Sequence, residues 1–137
     1  MSPALVLDAE AIASLAGGRG RRLDQVRAAL EAARRLKRDV IVPAVILVEL
    51  YRSPNRNKAL DSWINRDSWV WLRSTDREFA RYVGSVLGAA GVGSEMLADA
   101  HTVAAAVEAG GGVVLTGDES DIERLAAPYP NVQAVAI

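Results

Sequence analysis

Ala4 to Leu7 is an unbroken apolar run that stops at Asp8, too short for an ordinary helix and too uniformly apolar for a strand with one wet face. It predicts a strand buried on both faces, which requires helices above and below it. Short apolar runs recur at residues 40–42, 69–72, 113–115 and 132–137. The stretches between them have helical spacing. After Gly17-Gly18-Arg19-Gly20 breaks a first short helix, Leu23, Val26, Leu30, Ala33 and Leu36 share one helix face. Pro43 suits the first turn of a helix continuing through 44–51, and 55–66 carries Leu60, Trp63 and Ile64 on one side. Thr75 and Glu78 read as a capping box for a helix with Phe79, Tyr82, Val83, Val86 and Leu87 inward and Gly88 and Gly91 at its end. Ala100, Val103, Ala104 and Val107 mark another, stopped by Gly110-Gly111-Gly112, and 118–125 a last short one. This alternation predicts one α/β domain with a parallel sheet between two helical layers. In such sheets function gathers beyond the carboxyl ends of the strands, so acids that follow strands come first.

Composition narrows the chemistry. With no cysteine among 137 residues, disulfides, thiolate zinc sites and cysteine nucleophiles are all excluded. His101 is the single histidine, so any metal would be held by oxygen, and hard cations become the expectation. The apolar stretch at the N-terminus has no basic flank and ends at Asp8, so neither a signal peptide nor a membrane span is expected, and a cytoplasmic protein is. The net charge of −1 conceals an asymmetry. Residues 19–58 hold 11 Arg/Lys against 4 Asp/Glu, whereas Glu95 to Glu123 holds seven acids and no Lys or Arg. A basic flank beside an acidic centre suits a phosphodiester; ordinary solvated helix charge explains any single arginine equally well.

Four acids stand out, each with a plainer explanation. Asp8 ends the first strand and also suits an N-cap. Glu49 interrupts an apolar helix, where a charge needs either a neighbour such as Arg52 or a metal. Asp99 near a helix start favours the dipole, and Asp118 after the fourth run suits another N-cap, with Asp121 three residues on. Capping does not explain why acids follow two strands, begin two helices and break one apolar helix. Brought together, they would repel one another unless a divalent cation compensates.

Val6-Leu7-Asp8, Pro43-Ala-Val-Ile-Leu-Val-Glu49-Leu-Tyr-Arg52, Ala98-Asp99-Ala-His-Thr and Leu115-Thr116-Gly-Asp118-Glu-Ser-Asp121, in that order, resemble the PIN-domain ribonucleases, especially the VapC toxins of bacterial toxin–antitoxin pairs. The resemblance spans nearly the whole chain. It implies a three-layer α/β/α domain with a five-stranded parallel sheet of order 3-2-1-4-5, and endoribonuclease activity dependent on Mg²⁺ or Mn²⁺. Carried onto this sequence, Asp8, Glu49, Asp99 and Asp118 are the catalytic, metal-binding quartet, with Asp121 an outer member and Thr116 a site-shaping hydroxyl. Arg19, Arg21, Arg22, Arg52 and Arg56 are expected phosphate contacts for RNA. The resemblance also implies a homodimer neutralised by a cognate antitoxin protein. Glu10 departs from the family, which often has a small hydroxyl residue there. His101 is expected on a helix surface, since a cation can activate water without a histidine base.

Two other readings compete. A phosphatase of the haloacid dehalogenase type would also place an aspartate after its first strand, but it normally needs a second aspartate where Glu10 stands and a downstream lysine, and the only lysines are Lys37 and Lys58. A non-catalytic PIN domain that binds RNA or protein is the rival from another class; four acids in these places argue against it.

Overall fold

The computed structural model describes residues 3–66 and 69–137. The five apolar runs form five strands: β1 (Ala4–Leu7), β2 (Val40–Pro43), β3 (Val70–Arg73), β4 (Gly112–Thr116) and β5 (Val132–Ala136). All pairings are parallel and the order is β3-β2-β1-β4-β5. The expected three-layer α/β/α architecture and strand order are therefore both present. Seven helices complete the described residues: α1 (Ala9–Leu15), α2 (Arg21–Arg35), α3 (Val45–Leu50), α4 (Pro54–Arg66), α5 (Arg77–Ala90), α6 (Leu97–Glu108) and α7 (Glu119–Ala126), with a 3₁₀ turn at Ser94–Met96 before α6.

Alternation along β1 explains the two cores. Leu5 and Leu7 join Ile12, Val26, Ile46 and Leu60 on the face covered by α1 to α4. Val6 turns the other way, against Phe79, Val86, Val103 and Ile122 of α5 to α7. Helix α6 is buried continuously from Ala100 to Ala106, and its alanines let it lie close against the sheet. Each large side chain fully buried here stabilises by about 1.5–3 kcal/mol. The result that matters for function is topological. Chain order reverses at β1, which is flanked by β2 on one side and β4 on the other, so the crevice opens beyond Leu7 and Thr116.

Two local expectations are corrected. Pro43 closes β2, in register with Arg73, rather than opening a helix; Ala44 N donates to Arg73 O at 2.8 Å and α3 starts after it. The cap of α5 is Asp76, whose Oδ1 accepts from Phe79 N at 2.8 Å, and not Thr75. Arg73 selects Asp76 by donating to both its carboxylate oxygens, while the Thr75 hydroxyl is taken by His101 Nε2 at 2.9 Å. The end of α5 follows expectation, with Gly91 left-handed at φ 65°.

Candidate metal centre at the carboxyl edge of the sheet

Asp8 follows β1 and is buried, 5% exposed. Its Oδ1 accepts from Ala11 N at 2.9 Å, which caps α1, and its Oδ2 accepts from Gly117 N at 3.1 Å, which ties it to the turn after β4. Capping and site-building are thus one arrangement. In that turn the fully buried Thr116 Oγ1 accepts from Asp118 N at 2.8 Å, fixing the start of α7, where Asp118 makes no side-chain cap of its own. The Asp118 carboxylate, not used as a cap, faces the crevice. From across it, the first turn of α6 contributes Asp99.

One carboxylate oxygen from each of Asp99, Asp118 and Asp121 lies within 4.8 Å of the other two. Asp8, Glu49, Asp99 and Asp118 all line one cavity of about 220 Å³, together with Glu10 and Glu95. Burial and crowding act together on these carboxyls. The Asp99 carboxyl is pushed up to about 6, first by burial and then by the charges of Asp118, Asp121, Asp8 and Glu49. Asp121 is raised as well, chiefly by a hydrogen bond shared with Asp118. Converging oxygen donors that resist ionising together are the donor set a hard divalent cation satisfies.

The sequence matches the model of the PIN domain over residues 5–128. The chain belongs to the PIN-domain family. PIN domains are generally nucleases, and this membership removes the haloacid dehalogenase alternative. No curated protein matches the chain. Among solved structures, VapBC2 from Rickettsia felis bound to a DNA fragment from its promoter is 15% identical, with a TM-score of 0.66 over 97% of this chain and 98% of that one. FitAB bound to the IR36 DNA fragment is 16% identical, with a TM-score of 0.62 over 96% and 94%. FitAcB from Neisseria gonorrhoeae is also 16% identical, with a TM-score of 0.62 over 95% of each chain. At these identities the likeness is one of fold.

Several residues of this PIN domain lie where sequence reasoning did not put them. Glu49 is exposed at the cavity rim, not buried, and it has no ion pair with Arg52, whose Nη1 instead donates to Val48 O and Tyr51 O. Arg56 Nε likewise donates to Leu50 O, so both arginines close the carbonyl end of α3. Arg19 and Arg22 line a cleft next to the acidic cavity, whereas Arg21 lines neither. His101 is buried, not on a surface: its two nitrogens engage Thr75 and the Leu97 carbonyl, and its ring meets Phe79 edge-on. Glu95 and Thr102 were missed. Glu95 was visible only as the first of seven closely spaced acids, and Thr102, whose Oγ1 donates to Asp99 O at 2.7 Å, resembled any buried helix threonine.

Proposed function

We propose that this PIN domain is a metal-dependent endoribonuclease, the toxin of a toxin–antitoxin pair, using Mg²⁺ or Mn²⁺ held by Asp8, Asp99, Asp118 and Asp121 with Glu49 at the margin. The observation that carries the reading is the convergence of the Asp99, Asp118 and Asp121 oxygens within 4.8 Å, beside the buried Asp8. When bound, the cation supplies Lewis acidity towards a phosphate oxygen and lowers the pKa of water. The chain does the rest. Two backbone N–H groups hold Asp8 in one orientation, Thr116 aims Asp118, and Asp99 would present its carboxylate to the cation from the first turn of α6. His101 takes no part, because both ring nitrogens are engaged elsewhere.

RNA as substrate is supported by the arginine-rich segment 19–58 beside the acidic cavity. An antitoxin as partner is supported by the fold shared with VapBC2 and FitAB. The test is cleavage of RNA with Mg²⁺ or Mn²⁺, with and without chelator, beside Asp8→Asn and Asp99→Asn. Metal-independent cleavage, or variants as active as the parent, sinks the mechanism. Binding of RNA without cleavage would instead favour the non-catalytic domain. Growth arrest on induced expression, relieved by Asp8→Asn, separates a toxin from a housekeeping nuclease.

A further inference from the structure

Glu10 stands between two depressions. On one side is the acidic cavity; on the other is a cleft of about 370 Å³ whose walls include Ser14, Gly18, Arg19 and Arg22. Arg22 Nη1 lies 2.9 Å from Glu10 Oε2, and Nη2 donates to the Ile137 carbonyl at 3.4 Å. Both side chains are nearly half exposed, at 45% and 46%, so the pair contributes little to folding stability and its placement calls for another explanation. Glu10 also packs over the turn after β4, where a Cβ at Gly117 would collide with its carboxylate. The pair therefore joins that turn to the start of α2. A long, freely rotating arginine is held with its guanidinium at the mouth of a cavity walled by carboxylates. A serine or threonine at position 10 would be too short to reach it.

We infer that this cleft takes a phosphate of the RNA strand next to the one being cleaved, that Arg22 contacts it, and that Glu10 is the positioning residue for Arg22. The inference rests on the nuclease reading above. Carboxylates repel a polyanion, so a strand reaching them must be held by positive charge close by, and this cleft offers two guanidiniums against one carboxylate. A guanidinium carries five N–H donors, so Arg22 keeps donors for a phosphate oxygen beyond those facing Glu10 and the Ile137 carbonyl. Arg19 adds charge without an ion-pair partner among the described residues.

The experiment measures binding of a short fluorescein-labelled single-stranded RNA by anisotropy in EDTA, at several salt concentrations, using the full chain. Arg22→Ala is expected to weaken binding about tenfold and to flatten the salt dependence by about 0.7 in log–log slope, the value of one phosphate contact on a single strand. Arg22→Lys recovers part of the loss. Glu10→Ala weakens binding about threefold, an estimate for losing orientation while keeping the charge, and adds nothing in the Arg22→Ala background. That non-additivity marks positioning. Unchanged binding by Arg22→Ala, tighter binding by Glu10→Ala, or additive losses overturns the inference. Cleavage by the parent protein with Mn²⁺ is read separately. Arg22-dependent binding without cleavage removes the nuclease reading and keeps the cleft, whereas cleavage with Arg22-independent binding does the reverse.

Discussion

Replacing Asp99 by Asn should stabilise the metal-free protein at neutral pH while weakening the proposed metal site. The Asp99 carboxyl rises from the ordinary 3.8 to about 6, because burial and the charges of Asp118, Asp121, Asp8 and Glu49 penalise its ionised form. Between those two values the folded state binds more protons than the unfolded state, so stability falls as pH rises through the window. The full penalty is present above about pH 7. A shift of this size corresponds to about 3 kcal/mol at most. Asp99 is only partly buried, so solvent screens part of this, and the dipole of α6 returns about 0.3–1 kcal/mol, so we take about 1–2 kcal/mol. Asparagine keeps the shape and removes the charge. Thermal unfolding in EDTA at pH 7 should then show Asp99→Asn melting about 3–7 °C above the parent, with the gap closing towards pH 4. Mn²⁺ should reverse the order, since a cation at a hundred times its Kd stabilises the parent by about 2.7 kcal/mol and the variant much less. A variant less stable than its parent at pH 7, or an equal gap at both pH values, would refute the electrostatic account.

Asp8→Ala removes the acceptor for both Ala11 N and Gly117 N and is expected to cost about 1–3 kcal/mol in urea unfolding, with Asp8→Asn, which keeps one oxygen, costing clearly less. Thr116→Val keeps the buried shape but leaves Asp118 N without its 2.8 Å acceptor; a loss of about 1–2 kcal/mol and, on the proposed function, a lower kcat on RNA should follow, both restored by Thr116→Ser. Arg73→Ala cuts the links to Glu108 and Asp76 and uncovers Phe79, which should lower stability by about 1–3 kcal/mol, measured by chemical denaturation. Lys37 holds φ at 56° after α2, so Lys37→Gly is expected to raise stability by about 0.5–1 kcal/mol in the same assay.

Some of these features were legible in the residues themselves. Val6-Leu7-Asp8 and Leu115-Thr116-Gly-Asp118 announced strands ending in acids because a buried strand needs an unbroken apolar run, and polarity resumes where the chain leaves the sheet. Other features were not. Glu49 looked buried because its neighbours are apolar, yet Val48 and Glu49 turn outward while Ile46, Leu47 and Leu50 face the core, a distinction a six-residue helix is too short to show. Thr75 was the expected cap, and the displacement of the cap to Asp76 was decided by Arg73 and His101, which belong to other elements. His101 shows the same limit, since one polar residue among alanines carries no mark of which way it faces.

Periodicity and run length, which are local properties, determined the elements, their alternation and hence the layered sheet. They also determined which acids stand at strand ends. Only the tertiary structure decided which of those acids meet, because Asp8, Asp99 and Asp118 are separated along the chain by whole helices and come together through the crossover that sets β1 beside β4. It alone decided that Asp121 joins the closest group and Glu49 the rim, and that Glu10 faces Arg22 across the edge of the cavity. Electrostatic crowding depends on distance in space, and distance along a sequence does not report it.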